Sequence, residues 1–252
     1  MLSANFTFRK TPARTYASLQ AGLVGYWPMN EASGSALNQT SGAHLTAVNS
    51  PTATTGKING GRFLTRVAAP SSLSRRFYVA ANANLTLLGA TNYTASFWFY
   101  PNGDANSTWA YGLIANDAFP SQRGVSIGIP ASGNTNWLTP YFYAQFTDGT
   151  SDVFSPFTGT STKNAWNFFC VRRDGSTIKF RLNATTGTNY TLTKTLFSSR
   201  SWFHVGIRYG SNAIGNDHFN GGIDELALWN RTLSDAEVDS LYNSGSGIDL
   251  RL

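Results

Sequence analysis

From Gly22 onward, short runs rich in β-branched and aromatic residues alternate with clusters of Gly, Asn, Ser and Thr. Strand-length runs bounded by turn residues are typical of antiparallel sheets packed face to face. A chain of 252 residues, 41% of them hydrophobic, has enough apolar material for one large core. The pattern predicts an all-β, two-sheet antiparallel sandwich. The clearest runs are 23–27, 94–100, 109–115, 123–129, 141–147, 166–173, 176–183, 188–193, 202–208 and 222–229.

The strongest local signal is a β-hairpin at Asp174-Gly175. This dipeptide suits a two-residue type I′ turn, because both central positions of that turn need a positive φ. The predicted register places Phe169 opposite Phe180. Val171 then lies opposite Ile178, so that one face of the hairpin is apolar.

One helix is predicted, at about 234–243. Ser234 can cap its first turn together with Glu237, three residues later. Gly245 follows as the expected stop, since glycine accepts the left-handed conformation that ends many helices. An apolar stripe should pack this short C-terminal helix against the sandwich.

The charge pattern argues against several classes of partner. Charged residues make up 13% of the chain, about half of the roughly 25% that is typical of globular proteins. The formal net charge of +6 comes from 19 basic and 13 acidic residues, but the basic ones are scattered singly or in pairs. Nucleic-acid recognition needs clustered Lys and Arg on a recognition element, so no nucleic-acid partner is predicted. No apolar run reaches about 18 residues, and membrane insertion is not expected.

Cys170 is the only cysteine of the chain, which excludes an internal disulfide. It lies within an apolar run, and a buried, unreactive thiol is predicted. Trp27, Trp98, Trp166 and Trp229 also fall within strand runs. Core packing is predicted for each of them, with ligand stacking as the alternative.

Three stretches share order and spacing with one known family: GLVGYWPMNE at 22–31, WNFFCV followed by DGS at 166–176, and FNGGIDELALWNRTLS at 219–234. They resemble the opening strand, the central hairpin and the closing strand and helix of the laminin G-like, concanavalin A-type superfamily. The resemblance implies a jelly-roll domain over 22–252, with 1–21 as an extension or docking arm. Members include lectins and glucanases, so the resemblance supports the fold more than one function.

Some relatives with this fold are glucanases, which need two carboxyl groups about 5.5 Å apart for retaining hydrolysis. The resemblance implies that such a pair would lie in an E-x-D-x-x-E pattern on one strand. Glu237 and Asp239 begin this pattern, but Tyr242 occupies its last position and the segment is predicted to be helical. We therefore expect a binding or structural module and not an enzyme. A glycoside hydrolase with an unrecognised site remains the alternative.

The resemblance also implies a calcium ion where the first and last strands approach each other. Carboxylate oxygens suit this hard cation, and Asp224 is the expected ligand, helped by Glu31 or Asn30. Alternatively, Asp224 and Glu225 only accept hydrogen bonds at a turn or pair with Arg231. No Asp-rich loop accompanies them.

A saccharide site combines aromatic faces, on which sugar rings stack, with planar polar groups that bond the hydroxyls. Several aromatic residues outside the family motifs fit this description, although packing in the core or contact with a protein partner would use the same residues. The candidate ligand-binding residues are Trp109, Tyr111, Arg123, Asn136, Trp137, Tyr141 and Tyr143.

Residues 1–21 are expected to form either an arm that docks on a partner or an edge strand with a flexible leader. The leader is basic and contains no apolar signal sequence. A fold usually found outside cells, joined to such a leader, favours display on a virion surface as a phage or viral decoration or fibre protein. The arm would then bind capsid or other surface proteins, and its candidate docking residues are Phe6, Phe8, Arg9, Lys10 and Arg14.

The alternative is a secreted or cell-surface lectin that binds glycans. Both hypotheses allow glycans as ligands, and both leave the oligomeric state open, a homo-oligomer included.

Overall fold

The computed structural model contains two antiparallel sheets that pack face to face, with few helical residues. This confirms the all-β, two-sheet sandwich predicted from the sequence. The described residues are 16–67, 73–80, 88, 90–102, 111–118, 122–129, 139–196, 202–207 and 218–251. For 111, 112, 116–118 and 122–124, only the backbone is described.

Among the described residues the first sheet has nine strands, numbered here in chain order. They are β1 (Leu23–Trp27), β3 (Thr52–Thr55), β4 (Gly60–Leu64), β6 (Asn92–Pro101), β11 (Asn167–Asp174), β12 (Thr177–Leu182), β13 (Thr185–Thr186), β14 (Tyr190–Thr191) and β16 (Gly221–Trp229). The order across the sheet is β13-β12-β11-β6-β16-β4-β3, with β1 paired to β16 and β14 paired to β12. The opening and closing motifs of the sequence are therefore hydrogen-bonded neighbours.

The second sheet has seven strands within the part of the chain that the structure describes. They are β2 (Thr46–Val48), β5 (Arg76–Ala80), β7 (Tyr111–Ala118), β8 (Gln122–Ile129), β9 (Tyr141–Gln145), β10 (Ser151–Phe154) and β15 (Trp202–Val205). Their order is β10-β9-β8-β7-β15-β5-β2.

The core between the sheets follows from alternation along the strands. In β12, Ile178, Phe180 and Leu182 are buried, whereas the residues between them are half-buried. In β16, by contrast, all nine residues are buried. A second layer covers the outer side of this strand, so both of its faces are apolar.

The predicted hairpin forms between β11 and β12, but its register differs from the prediction. Val171 lies opposite Phe180, and Phe169 lies opposite Leu182. Gly175 has a φ of 60° and is the first central residue of the turn. Because only this position needs a positive φ in a type II′ turn, the turn is centred one residue later than the predicted type I′ turn, and each β11 residue pairs two residues further along β12. The same side chains still form the apolar face, because a shift by two residues leaves each side chain on its own side of the sheet.

The predicted C-terminal helix is α2 (Asp235–Tyr242). The Ser234 side chain accepts a hydrogen bond from the Glu237 backbone N–H, and the Glu237 carboxylate accepts one from the Ser234 N–H. This confirms the predicted cap. The helix ends at Asn243, which has a φ of 47°, two residues before the predicted stop at Gly245. No helix within the described ranges is long and apolar enough to cross a membrane.

A short helix, α1 (Ala17–Gln20), and the C-terminal segment cover the outer side of the first sheet together with α2. The carbonyl of Leu19 accepts a hydrogen bond of 2.7 Å from the Trp229 indole. Burial raises the pKa of the Cys170 thiol to about 12, in agreement with the predicted unreactive thiol. We call this layer the helix-side cluster; its buried members are Leu19, Tyr26, Trp98, Phe168, Cys170, Ala227, Trp229, Leu233, Val238, Leu241, Ile248 and Leu250.

Candidate functional site

The sequence-predicted ligand residues that the structure describes lie on strands of the second sheet. Tyr141 and Tyr143 lie on β9 and are buried. Tyr111 begins β7 and Arg123 lies on β8, but their side chains are not described. Trp109, Asn136 and Trp137 lie outside the described residues.

Strand register places six residues in one row across six of the seven strands of the second sheet, from β2 to β9. Each is the Cα partner of the next, and paired residues of adjacent strands lie on the same face. Their neighbours along the strands, such as Phe77, Val205 and Phe142, belong to the core. The row therefore faces away from the core, and we call it the outward row: Thr46, Tyr78, His204, Ala115, Ser126 and Tyr143.

The accessible end of the outward row carries an aromatic pair. Trp202 lies two residues before His204 on β15 and therefore shares its face. The rings of Tyr78 and Trp202 meet edge to face, with centroids 5.5 Å apart and an interplanar angle of 63°. Both side chains are half-buried, and Thr46 beside them is exposed. This pair, which we call the aromatic platform, offers a ring surface and neighbouring hydroxyl groups to a ligand.

The far end of the row is closed to large ligands. His204, Ser126 and Tyr143 are buried, and the His204 ring stacks on Tyr78 at 6.5 Å. The Ser126 hydroxyl has no hydrogen-bond partner within the described part of the chain. Tyr141 lies on the same outward face, opposite Gly128. Tyr141 and Tyr143, which were predicted as ligand residues, therefore lie at the buried end of the outward row. The aromatic platform forms its accessible end.

A cluster of carboxyl groups lies on the opposite side of the molecule. Asp224 is 0% exposed, and its carboxylate accepts hydrogen bonds of 2.9 Å from the N–H groups of Ile58 and Glu225. Burial raises the pKa of Asp224 to about 7, against the opposing effect of these backbone donors. Its carboxylate is fully enclosed.

Glu225 follows at a β-bulge of β16, where its φ of 50° lies in the left-handed region. The Tyr26 hydroxyl donates a very short hydrogen bond to it and also lies 3.1 Å from Asp249. Burial, and next the charge of Asp224, raise the pKa of Glu225 to about 9. Burial and Glu225 raise the pKa of the Tyr26 hydroxyl. Glu225 is only 6% exposed, so this cluster is not positioned to contact a polymer substrate.

The residues predicted to bind calcium are held by other contacts. Glu31 accepts a hydrogen bond of 2.8 Å from the Leu37 N–H, and its second oxygen lies 4.0 Å from Arg62. Asn30 accepts one of 2.7 Å from the Gly60 N–H. No group of three or more His, Cys, Asp or Glu residues that could hold a metal ion occurs among the described residues. As they lie here, these side chains do not form a calcium cage, and calcium binding by Asp224 and Glu31 stays a prediction.

Two of the open clefts formed by described residues lie elsewhere. One, of about 420 Å³, combines amide, hydroxyl and guanidinium groups with leucine side chains; it is lined by Gln20, Leu23, Tyr26, Gln39, Thr40, Leu250 and Arg251. The other, of about 190 Å³, has a buried floor and a rim of exposed threonines; its lining includes Phe157, Thr158, Thr160, Asn183, Thr185 and Thr186. Neither offers an aromatic pair with exposed ring surface.

Sequence reasoning missed Tyr78, Trp202 and His204. Run 202–208 was recognised as a strand, and its alternation already placed Trp202 and His204 on one face. The partner strand β5 was not recognised, so nothing in the sequence joined Tyr78 to them. The predicted docking residues Phe6, Phe8, Arg9, Lys10 and Arg14 lie outside the described residues.

A family model described as the concanavalin A-like lectin/glucanases superfamily matches residues 73–239. No curated protein sequence matches the chain. Among solved structures, domain 4 of AbnA, an extracellular arabinanase from Geobacillus stearothermophilus in complex with arabinotriose, is similar with a TM-score of 0.61 and 15% identity. The match covers 90% of this chain and 99% of that domain.

Two toxin structures are also similar. Botulinum neurotoxin type C, whose cell entry depends on two ganglioside molecules, gives a TM-score of 0.66 at 15% identity and covers 91% of this chain but 53% of that one. The binding domain of Paraclostridial Mosquitocidal Protein 1 gives 0.65 at 15% identity, with coverages of 89% and 52%. The chain thus spans about half the length of these toxin structures. Such identities show a common fold.

Proposed function

Because the chain belongs to the concanavalin A-like lectin/glucanase superfamily, we propose that it is a carbohydrate-binding module without enzymatic activity. The aromatic platform of the second sheet is the proposed binding surface. Sugars present an apolar ring face and several hydroxyl groups. Lectin sites stack aromatic rings on the ring face and bind the hydroxyl groups with polar side chains.

The observation that carries this proposal is the half-buried pair of Tyr78 and Trp202 on an outward sheet face. Aromatic side chains on this face are not needed for the core, because Phe77 and Phe203 fill it from the same strands. The stack of Tyr78 on His204 fixes the ring orientation before a ligand arrives. A preorganised platform lowers the entropic cost of binding.

The similar structures support the same class of ligand. The arabinanase domain was solved with arabinotriose, and the type C neurotoxin interacts with gangliosides. Both ligands contain sugars. The likeness to this chain is in the fold, so the choice of saccharide has to come from its own residues.

The test is a glycan array, followed by calorimetric titration of the best saccharide against variants. Trp202→Ala and Tyr78→Ala should each weaken binding severalfold, up to about tenfold, since an aromatic contact contributes roughly 0.5 to 1.5 kcal/mol. The matched control is the pair of Tyr100 and Trp166, half-buried rings beside the first sheet with centroids 5.6 Å apart at 62°. Trp166→Ala should leave the affinity unchanged. Loss of binding in this control alone would place the site on the first sheet.

Hydrolysis is the alternative, since perturbed carboxyl groups often mark active sites. The enclosure of Asp224 and Glu225 favours binding instead. Incubation with polysaccharides should release no new reducing ends from the wild type. Release that disappears in Glu225→Gln, and survives in Glu31→Gln, would establish an enzyme.

Display on the surface of a virion stays a prediction from the sequence, with secretion as its alternative. Mass spectrometry of purified particles checks it. If the protein is absent from particles and envelopes of the producing cells, the surface-display hypothesis is wrong.

A further inference from the structure

The outward face of the second sheet is closed on two sides of the aromatic platform. His204 lies across the sheet from Tyr78 on β15, and Arg76 lies two residues before Tyr78 on β5. Both side chains point away from the core, yet they are only 4% and 8% exposed. Other parts of the protein therefore cover the outer face at these two positions, and a ligand on Tyr78 cannot extend over either of them.

The opposite sides of Tyr78 are open. Thr46, its partner on β2, is exposed, and β2 is the last strand of the second sheet among the described residues. Ala80 lies two residues after Tyr78 on β5 and is exposed as well. Across the sheet, Thr46 is on the far side of Tyr78 from the covered His204. Along β5, Ala80 is on the far side from the covered Arg76. A straight path over Tyr78 therefore begins at an open side and ends at a closed one.

The two rings of the platform accommodate one stacked sugar residue. They are inclined at 63°, so a sugar ring that lies flat on Trp202 cannot also lie flat on Tyr78. The His204 ring already stacks on Tyr78 at 6.5 Å. An edge-to-face contact covers at most one face of the indole, and Ala80, the partner of Trp202 on β5, is too small to cover the other. Trp202 therefore offers the ring face on which a single sugar residue can stack.

We propose that the aromatic platform recognises the terminal residue of a glycan chain and excludes residues within the chain. This inference rests on the proposed function and narrows its ligands to chain ends. The terminal sugar ring stacks on Trp202, and its unlinked end faces the closed side at His204. The rest of the chain leaves over Thr46 or Ala80, where the outer face is open. A residue within a straight chain would need a second exit, and the covered neighbours of Tyr78 leave none.

The first experiment changes the number of chain ends at constant mass. Linear arabinan, galactan and amylose, and the polysaccharide of the best array saccharide, are partially hydrolysed with acid. Each sample then competes for the protein against the best saccharide immobilised on a sensor. Inhibition per gram should rise in proportion to the number of new ends. Binding within the chain predicts instead that inhibition per gram stays constant or falls, since hydrolysis creates no interior positions.

A calorimetric series of oligosaccharides gives the same comparison in solution. The affinity per molecule should stay level from the disaccharide to the hexasaccharide of one series, because every member presents the same terminal residue. Trp202→Ala should weaken binding of all members by the same factor, which shows that they share the platform.

Two substitutions test the open sides. Ala80→Leu and Thr46→Leu each place a bulkier side chain on one of them, and at least one should weaken binding of the trisaccharide severalfold, because the added group obstructs the chain. The monosaccharide should keep its wild-type affinity in that variant. The matched control, Thr186→Leu, changes an exposed threonine of β13 in the first sheet and should change neither affinity. If both substitutions leave the trisaccharide unaffected, the chain does not leave over these sides and the inference is wrong.

The outcomes separate the two proposals. Inhibition that follows mass instead of chain ends, or an affinity that rises steadily with chain length, overturns the recognition of terminal residues and leaves the carbohydrate-binding module standing. No binding to any saccharide, on the array or in these series, overturns the proposed function.

Discussion

Glu225 shows how one residue in an unusual conformation can determine the electrostatics of a region. A glutamate with positive φ is uncommon, and the bulge of β16 directs its carboxyl group towards Tyr26, beneath the C-terminal segment. Two consecutive acids, Asp224 and Glu225, are thereby buried together, which disfavours ionisation of both. Neither the bulge nor the conformation can be read from the sequence, because glutamate has no preference for either. The family resemblance therefore implied a metal ligand at Asp224, and nothing in the sequence indicated the pKa of its neighbour.

The raised pKa of Glu225 predicts that stability falls with rising pH. Between its ordinary pKa of 4.5 and about 9 in the native state, the unfolded chain has lost this proton while the folded chain retains it. The unfolded state then binds fewer protons, so the free energy of unfolding decreases as pH rises, by at most about 1.4 kcal/mol per pH unit. Asp224 acts with the same sign up to about pH 7. Glu225→Gln should flatten this dependence and raise the melting temperature at alkaline pH.

Thermal denaturation across this pH range measures the effect. Glu237→Gln is the control. Hydrogen bonds, the first of them from Arg231, lower the pKa of Glu237 to about 2. The contribution of Glu237 to the free energy of unfolding therefore no longer changes with pH above its ordinary pKa of 4.5. The slope above that pH should be the same in the control as in the wild type. An unchanged slope in Glu225→Gln would show that Glu225 is ionised in the folded protein.

At the scale of elements, the sequence predicted what depends on local chemistry. The capping box of Ser234 and Glu237 was correct, because its donors and acceptors lie within one helical turn. The hairpin was correct in position and face, but its register was wrong, since Asp-Gly and Gly-Ser can each occupy a two-residue turn. Strand β5 was missed because its pairing with β15 depends on residues far away in the chain. The platform depends on that pairing, so no local pattern reveals it.

The hairpin turn gives a prediction about Gly175. With a φ of 60° it occupies a conformation that alanine adopts only with strain, whereas a Cβ there would meet no atom within 4 Å. Gly175→Ala should therefore lower the free energy of unfolding by about 1 kcal/mol through backbone strain alone. Urea denaturation measures it. Gly159→Ala is the control, since that glycine has equally open space without a positive φ, and it should be neutral or slightly stabilising. Equal effects of the two substitutions would contradict the strain argument.

At the scale of the whole molecule, the two sheets have different outer faces. The first sheet is covered by α1, α2 and the C-terminal segment, so its outer face contributes to stability. The second sheet keeps aromatic side chains on its outer face, at the aromatic platform. The family motifs lie in the first sheet and in the helix, which explains why resemblance predicted the fold and not the site.

This division predicts that stability and binding can be changed separately. Leu250 is 5% exposed in the helix-side cluster; its N–H donates a 3.1 Å hydrogen bond to the Tyr26 hydroxyl, and its carbonyl accepts one of 2.7 Å from Gln20. Leu250→Ala keeps both backbone contacts but removes buried methyl groups, so the free energy of unfolding should fall by about 2 to 5 kcal/mol. The control, Leu37→Ala, affects a side chain that is 44% exposed and should cost well under 1 kcal/mol.

The same variants are then titrated with the best saccharide, well below their melting temperatures. Leu250→Ala should retain wild-type affinity, because the platform lies on the other sheet. Trp202→Ala should show the reverse, with weaker binding and a smaller loss of stability, since its half-buried ring leaves less of a cavity. If Leu250→Ala weakens saccharide binding as strongly as Trp202→Ala, the two outer faces are energetically coupled and the ligand does not bind at the platform alone.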